Sequence, residues 1–465
     1  MATEHRLAHH GRLSRRNLEF REYAVATPEA QVRANFSTVA ERAGRFTVPV
    51  QPWPTFVRRD RLTAWEQQAI ALERLIKDIP RRLFDNDPAR IASVFCLPSE
   101  QLATVIMAEP NGIPEALSRL DFIEVDGELK LLELNSGSYL GGCELSTLAG
   151  SLPAEPMLAP FFGGVEAPVR STQPALLRHM LRNLRDSPLA EGADRFDIGY
   201  VFTRGGLEDL LCNVTHVFYN QTARSVAEEL GIDFPCALHC LDESEIEVRG
   251  DRVYANGIRL HAIFEQYENL TSKELFRSMK SGRLHLYTGP ATAVVGSKRN
   301  VALLYELRDT EVFSDEERAL IERSVPWTHA IQPTEVEWDG STAYLPELLQ
   351  AERQRLVLKP ALASAGVNVF LGRSTPEEKW REMVRTALEG PGRWIVQELM
   401  ASPPDLYQIG DEGCRACEVV WGLYSFGGEP GGGYLRLDAV GGGPLNVGQG
   451  ADVGFYFAVD DEGDG

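Results

Sequence analysis

Two short runs of alternating polar and apolar residues flank an Asp-Gly pair in the first third of the chain. Arg119 and Asp121 alternate with apolar residues before the pair, and Glu133 and Asn135 do so after it. Alternation with a period of two is typical of a strand with one buried face, and Asp-Gly between two such strands predicts a hairpin. We therefore expect four polar side chains on one rigid hairpin.

The length of the turn decides on which face of the hairpin each of these side chains lies. A two-residue turn at Asp126-Gly127 would place Asp121 and Glu133 on opposite faces. A three-residue loop with Gly127 in the left-handed conformation would pair residue 124 with residue 128 and place all the polar side chains on one face. Because burial of one face favours the second register, we predict the three-residue loop. Carboxylate and amide oxygens on one face suit Mg²⁺, although a solvated outer face is an equally good interpretation.

Composition narrows the classes of function. The 465 residues carry a net charge of −20, and 43% of them are hydrophobic, which fits a globular protein of several domains. An acidic surface repels phosphate backbones and anionic lipids, so neither nucleic acid nor a membrane is expected as a partner. There is no apolar run of about 18 residues and no secretory signal. Seven cysteines without a framework spacing are typical of a reduced cytoplasmic protein.

Two lysines lie beside short apolar runs and small residues. Lys298 ends the run Val294–Lys298, and Lys359 precedes a loop rich in alanine that contains Gly366 and Asn368. A lysine at a strand end above such a loop can approach a polyphosphate, with backbone N–H groups completing the contact. Neither segment is a P-loop or a G-x-G-x-x-G motif, and an ordinary surface position is the alternative for each lysine.

Two later segments add to this pattern. The run from Trp394 to Met400 predicts a buried strand that ends in an acidic residue, which suits an adenine-side hinge or an ordinary core strand. A glycine-rich loop at 441–450 follows Arg436 and contains Asn446. Such a loop exposes many N–H groups and can fold over an anion, or it can be a surface hairpin.

In this order, the segments resemble the circularly permuted ATP-grasp ligases, a group that includes eukaryotic glutathione synthetase and the synthetase half of glutathionylspermidine synthetase. The R-x-D and E-x-N strands of that family resemble Arg119–Asp121 and Glu133–Asn135. Its G-x-K resembles Gly296–Lys298, and its V-L-K-P resembles Val357–Pro360. The resemblance implies an α/β ATP-grasp fold that is circularly permuted, with an inserted α/β pre-grasp domain and an N-terminal helical segment.

The resemblance also implies a role for each matched residue. The expected catalytic residue is Arg119. The expected metal ligands are Asp121, Glu133 and Asn135, because Ala363 stands where glutathione synthetase has a metal-binding Glu. The expected nucleotide contacts are Lys298, Lys359, Gly366, Asn368, Gln397, Glu398 and Leu399. The expected substrate contacts are Ser136, Ser138, Arg436 and Asn446.

The resemblance further implies a division of the chain into six segments. They are an N-terminal arm and helical segment (1–88), the metal-binding part of the ATP-grasp C-lobe (89–150), a connector (151–176), the pre-grasp substrate domain (177–295), the ATP-grasp N-lobe with the lysines and hinge (296–398), and the rest of the C-lobe with its glycine-rich lid (399–465).

The implied activity is the ATP-dependent joining of a carboxylate to an amine through an acyl phosphate, which gives ADP and phosphate. The cofactors are ATP and Mg²⁺, with two ions, and the partners are a small acid and a small amine resembling amino acids or short peptides. The sequence leaves the two substrates and the oligomeric state open, with a homodimer as one option. A hydrolase with a G-x-S-x-G nucleophile is disfavoured, because that motif is absent.

Two alternatives to a ligase remain. Ala363 is compatible with a protein that keeps the fold and binds ATP without catalysis. A zinc-binding protein is the other alternative, although its candidate ligands lack the usual finger spacing. Those ligands are Cys236, His239, Cys240, Cys414 and Cys417.

Overall fold

The computed structural model describes residues 9–27, 50–97, 117–163, 172–201, 219–265, 273–287, 292–363, 368–401, 403–408, 414–441, 445 and 450–460. The strands in these residues are β1 (Thr55–Arg58), β2 (Leu117–Val125), β3 (Glu128–Ser136), β4 (Phe196–Val201), β5 (Cys236–Leu241), β6 (Ile246–Arg249), β7 (Arg252–Ala255), β8 (Ile258–Leu260), β9 (Ala262–Glu265), β10 (His285–Leu286), β11 (Thr328–Ala330), β12 (Glu335–Trp338), β13 (Ser341–Tyr344), β14 (Leu356–Pro360), β15 (Phe370–Leu371), β16 (Trp394–Glu398), β17 (Asp405–Gln408), β18 (Cys414–Phe426), β19 (Glu429–Ala439), β20 (Asp452–Gly454) and β21 (Tyr456–Val459). The α-helices are α1 (Arg15–Ala26), α2 (Arg59–Phe84), α3 (Pro88–Val94), α4 (Ser146–Ala149), α5 (Thr172–Arg185), α6 (219–229), α7 (Lys273–Lys280), α8 (Thr292–Val295), α9 (Arg299–Glu306), α10 (Asp315–Ser324), α11 (Leu345–Ala351) and α12 (Glu377–Glu389).

The largest sheet, which we call the central sheet, joins the early hairpin to the end of the chain. Its strands lie in the order β20-β19-β18-β2-β3, and β17 pairs with the other end of β18. All of these pairs are antiparallel. Helix α2 covers one face of the sheet, where the rings of Trp65 and Trp421 are 5.0 Å apart. Phe122 pairs with Trp421, so its neighbour Asp121 points to the opposite face.

The β2–β3 hairpin forms in a register different from the predicted one. A two-residue turn at Asp126-Gly127 joins the strands, and both turn residues have positive φ. Such a turn matches the twist of the strands, which is why it is preferred to the predicted three-residue loop. A bulge at Leu132 then shifts the register by one residue and brings Asp121 opposite Glu133. The prediction of the loop was wrong, but the polar side chains still share one face.

A four-stranded antiparallel sheet, in the order β11-β16-β14-β15, has a core of its own. Helix α12 begins with Glu377 and Glu378, which favour a helix N-terminus, and buries Trp380 and Met383 on one face. The Nε1 of Trp380 donates to the carbonyl oxygen of Leu349 at 2.8 Å. Since replacing a fully buried Trp by Ala costs about 3–5 kcal/mol, Trp380 is a main support of this sheet.

A third layer combines a parallel sheet with a small antiparallel one. The parallel sheet has the order β10-β9-β4-β5, and β6, β7 and β8 form a three-stranded sheet. Asn256 and Gly257 form the turn between β7 and β8 with φ of 52° and 79°, as predicted. Strands and helices thus alternate here as the sequence pattern indicates.

Helix α2 runs past the residue that was expected to end it. The sequence predicts a stop at Pro80, but the helix continues to Phe84. Pro80 lies in the last turn, where few further helical hydrogen bonds can be lost. The helix ends when Asp85 takes the left-handed conformation. Within the described part of the chain, no helix combines the length and the apolar character needed to cross a membrane.

Candidate functional site

A cleft lies between the central sheet and the four-stranded antiparallel sheet. The central sheet contributes Asp121, Glu133 and Arg436 to its walls, and the smaller sheet contributes Lys359 and Gln397. Two sheets that meet in this way place charged side chains from residues far apart in sequence against one space. The polar face of the hairpin, expected from alternation alone, forms the floor of this cleft.

Arg119 is held tightly within the floor. Its Nε and Nη2 donate to the two carboxylate oxygens of Asp121 at 2.8 and 3.1 Å. Its Nη1 donates to the carbonyl oxygen of Leu140 at 2.7 Å and to the hydroxyl of Tyr434 at 2.9 Å. Burial opposes the charged form, but Asp121 raises the pKa of Arg119 well above its usual value. The guanidinium is therefore a fixed cation whose orientation is set from several sides.

Asp121 accepts hydrogen bonds from three side chains. Besides the fork from Arg119, the Nδ2 of Asn135 donates to its Oδ2 at 2.9 Å, and Nη2 of Arg436 lies 2.7 Å from the same oxygen. Asp121 is almost fully buried. A buried carboxylate needs such partners, and two guanidinium groups supply them here. The carboxylate thereby ties β2 to β19 across the intervening strand β18.

Glu133 pairs with Lys298, which comes from the segment between α8 and α9. The Nζ of Lys298 lies 3.1 Å from Oε2 of Glu133 and donates to the carbonyl oxygen of Ala363 at 2.6 Å. Burial favours the neutral acid, but Lys298, Lys359 and Arg436 lower the pKa of Glu133 far below its usual range. Glu133 is therefore ionised at neutral pH.

Lys359 occupies the side of the cleft formed by the smaller sheet. Its Nζ donates to Oε1 of Gln397 at 2.7 Å and to the carbonyl oxygen of Leu132 at 3.1 Å. Burial lowers the pKa of Lys359 to about 8, against the attraction of Glu133. The amine is therefore mostly charged at neutral pH and within reach of proton exchange in mild alkali.

Cations exceed carboxylates in this part of the cleft. Arg119, Lys298, Lys359 and Arg436 surround two carboxylates, those of Asp121 and Glu133. The Nε of Arg436 is buried and has no hydrogen-bond partner among the described residues. Buried positive charge that its own carboxylates do not balance favours an anionic ligand.

The rest of the cleft is apolar and borders β16. Val357, Leu371, Leu399 and Val420 line it, and Ile123 adds a side chain from β2. At the mouth, Nη2 of Arg373 lies 2.7 Å from one Oε of Glu418, which joins the two sheets. A flat apolar slot beside a cationic floor is the arrangement that suits a nucleotide.

The molecule can now be compared with known proteins. Among solved structures, a glutathione synthetase-like effector from Globodera pallida, determined in its apo form, matches with a TM-score of 0.55. The match covers 93% of this chain and 98% of that chain at 11% sequence identity. This chain shares the fold of that effector. It is thus a mixed α/β protein with an ATP-grasp-like fold.

Other comparisons add little. D-alanyl-alanine synthetase A from Vibrio cholerae matches with a TM-score of 0.28 and 12% identity, over 49% of this chain and 67% of that chain, which is too weak to carry an argument. No protein-family model and no curated protein matches the sequence. The likeness to solved structures therefore concerns the fold alone.

The remaining expected site residues are less closely grouped. Ser136 and Ser138 are buried at the end of the hairpin, and Ser136 Oγ has no partner among the described residues. Asn368 is exposed and has a φ of 58°. Gly366 and Asn446 lie outside the described residues, as does most of the loop at 441–450.

The backbone of the hinge strand is fixed beside the cleft. The N–H of Glu398 donates to the carbonyl oxygen of Trp327 at 2.8 Å, and the N–H of Leu399 donates to that of Arg355 at 2.7 Å. The Glu398 side chain lies 3.4 Å from Nη2 of Arg355. Both residues also line the cleft, and their role as an adenine-side hinge stays a prediction.

The candidate zinc ligands do not form one cluster. Cys236 and His239 lie on β5 of the parallel sheet, whereas Cys414 and Cys417 lie on β18 of the central sheet. Cys240 is disulfide-bonded, contrary to the expectation of a wholly reduced chain, and so offers no thiolate. Within the described residues, no group of three His, Cys, Asp or Glu side chains could hold a metal ion. The structure gives no support to the zinc alternative.

Sequence reasoning missed two residues that shape the site. Tyr434 directs Arg119, and Gly422 makes room for it. A Cβ at Gly422 would lie 3.1 Å from Cδ of Arg119 and 3.4 Å from Oδ1 of Asp121. A glycine within a strand often marks such a close approach, so Trp421-Gly422-Leu423 was the available signal.

Proposed function

We propose that this protein is an ATP-dependent carboxylate–amine ligase. The observation that carries the proposal is the cleft between two sheets, which Lys359 and Arg436 line together with apolar side chains beside β16. Two further cations, Arg119 and Lys298, are paired with the carboxylates of its floor. The shared fold with a glutathione synthetase-like effector supports it. The circular permutation and the six segments expected from the sequence belong to this proposal, and the pairing of β2 with β18 in one sheet agrees with them.

The nucleotide would bind along the length of the cleft. The adenine would lie against the apolar side chains between Leu399 and Val420 of the central sheet. Lys298 and Lys359 would neutralise the phosphates, because Lys359 lines the cleft and Lys298 is paired with Glu133, which also lines it. Both amines are already partnered by chain groups, so phosphate contacts would add to or replace bonds to carbonyl oxygens.

The residues present fit Mg²⁺ only in part. Both oxygens of Asp121 are engaged by guanidinium groups, whereas Glu133 has one ion pair and a long 3.4 Å contact from Asn135 to its Oε1. Since Mg²⁺ is commonly held by one or two carboxylates together with substrate phosphates, Glu133 and the amide oxygen of Asn135 would hold it. When bound, the ion would offset the negative charge of the phosphates.

The reaction would proceed in two transfers. A substrate carboxylate oxygen would attack the γ-phosphorus, and ADP would leave with the electrons of the broken P–O bond. An amine would then attack the acyl carbon and release phosphate. Arg436 and Arg119 would stabilise the charge that develops, since preorganised donors act strongly away from water. Ser136 and Ser138, which are buried at the end of the hairpin, are the proposed contacts of the acid or the amine.

Thermal unfolding with ATP and Mg²⁺ tests the proposal directly. A ligand at 100 times its Kd stabilises the native state by about 2.7 kcal/mol. We expect this Mg²⁺-dependent stabilisation in the wild type and its loss in Glu133→Gln. Glu128→Gln, on an exposed position of the same hairpin, is the matched control and keeps the stabilisation.

Release of ADP on addition of amino acids as acid and amine then separates a ligase from a protein that only binds ATP. A wild type that shows no shift with ATP and Mg²⁺ would contradict the proposal. ATP-induced stabilisation without ADP release from any acid–amine pair would favour the binding protein instead.

A further inference from the structure

Gln397 is wholly buried at the place where the two sheets of the cleft meet. Its Oε1 accepts from Nζ of Lys359 at 2.7 Å. Its Nε2 donates to the carbonyl oxygen of Leu131 at 3.2 Å and to Oγ1 of Thr328 at 3.1 Å. Both ends of the amide are thus in use, and one of its partners belongs to the opposite sheet.

The contacts of Gln397 and Lys359 converge on the bulge of β3. Gln397 binds the carbonyl oxygen of Leu131, and Lys359 binds that of Leu132. The same bulge brings Asp121 opposite Glu133. Two neighbouring residues of the smaller sheet therefore hold the backbone that sets the polar face of the hairpin.

Two fixed bonds leave one direction for the remaining proton of Lys359. A lysine ammonium has three N–H donors in a tetrahedral arrangement. The described residues engage two of them, at Leu132 and Gln397, and the residue lines the cleft. The direction of the third N–H is then set by the other two bonds.

We propose that Gln397 is a positioning residue that aims the third N–H of Lys359 at the phosphates of the nucleotide. The inference rests on the proposed function, and it differs from the expectation that Gln397 contacts the nucleotide itself. A residue that only satisfied its own buried amide would affect the stability of the fold and would have no effect specific to Lys359.

A double-mutant cycle on the affinity for MgATP distinguishes the two roles. In the wild-type background, we expect Gln397→Met to weaken MgATP binding roughly tenfold, about the size of one hydrogen bond from a charged group. In the Lys359→Met background, the same change has an effect below about twofold. Isothermal titration calorimetry gives the four affinities, and circular dichroism confirms that each variant is folded.

Thr328→Val is the matched control, because it removes a partner of Gln397 in the same buried place and leaves the acceptor of Lys359 intact. We expect it to lower stability while MgATP affinity stays within about twofold. Gln397→Asn repeats the cycle with a smaller change to the core, since its amide is one methylene too short to reach Lys359. It serves if Gln397→Met does not fold.

The inference would be overturned if Gln397→Met weakened MgATP binding equally in the wild type and in the Lys359→Met variant. It would also be overturned if Gln397→Met bound MgATP with the affinity of the wild type. Both outcomes leave the proposed function standing, because the wild type still binds MgATP. Failure of the wild type to bind MgATP would overturn the proposed function and the inference together.

Discussion

Two groups of buried charges lie on the central sheet, and they differ in what surrounds them. The cleft cluster comprises Arg119, Asp121, Glu133, Lys298, Lys359 and Arg436. The arm cluster comprises His10, Arg12, Arg21, Glu124 and Asp405. Arg12 donates to Glu124 at 2.6 Å and to the two oxygens of Asp405 at 2.9 and 3.2 Å. It thereby fastens the N-terminal arm to β2 and β17.

The two clusters differ in the ratio of positive to negative groups and in whether they border an open cleft. In the arm cluster, two arginines face two carboxylates, and Arg21 is enclosed by aromatic rings, with its Cζ 4.4 Å from the centroid of Tyr407. In the cleft cluster, four cations surround two carboxylates, and Lys359 and Arg436 line an open space. Buried charge alone therefore does not indicate a binding site. An excess of one sign beside a cleft does so.

The largest expected effect comes from breaking the balanced cluster. Arg12→Met leaves Asp405 and Glu124 buried without their cation, which should lower the free energy of unfolding by about 3–5 kcal/mol. Urea unfolding measures the loss. Arg15→Met, which removes an exposed ion pair with Glu19, is the control and should change little. The comparison fails if Arg12→Met abolishes MgATP binding in folded protein or costs no more than the control.

A smaller effect is expected from acid. Burial lowers the pKa of His10 to about 3, against the attraction of Asp405. In the unfolded chain this His has an ordinary pKa of about 6.5, so the unfolded state binds more protons between these values. Stability should then fall as the pH drops below 6.5, by about 2 kcal/mol at pH 5. Urea unfolding at pH 7 and pH 5 should show a weaker pH dependence in His10→Gln, and an unchanged dependence would refute the assignment.

The smallest expected effect is a loss of MgATP affinity at alkaline pH, which arises from the cleft cluster. Lys359 has a pKa of about 8 in the free protein, and phosphate binds its charged form. The affinity for MgATP should be constant below pH 8 and then fall, by up to about tenfold per pH unit, as the free amine loses its proton. Calorimetric titration at pH 7, 8 and 9 measures this. Lys359→Arg stays charged and should give a flatter profile, so an equally steep profile in that variant would contradict the explanation.

The β2–β3 hairpin shows which structural features could be predicted from the sequence alone. Alternation around Asp126-Gly127 was enough to predict two strands and a shared polar face. It was not enough to predict the bulge at Leu132, because Leu131 and Leu132 are both apolar and either can be the extra residue. The bulge is selected by partners on β14 and β16, which lie far away in sequence.

Several residues of the cleft could be predicted from the sequence, but the contacts between them could not. Lys298 and Lys359 were expected near phosphate from the small residues beside them, and the structure brings both near Glu133. The role of Arg436 toward Asp121 depends on a pairing between strands that no local pattern encodes. The end of α2 was misjudged for a different reason, since a proline so near the end of a helix costs few further hydrogen bonds and does not by itself stop the helix.

The hydrogen bond between Arg119 and Tyr434 joins residues 315 positions apart. At a synthesis rate of about 5–20 residues per second, the ribosome needs roughly 15–60 s to add that length of chain. During this time β2 and β3 have left the ribosome without β18, so an apolar strand edge waits for its neighbour. The cleft is therefore complete only after the last strands emerge, and an exposed strand edge has to be kept from pairing with other chains over that interval.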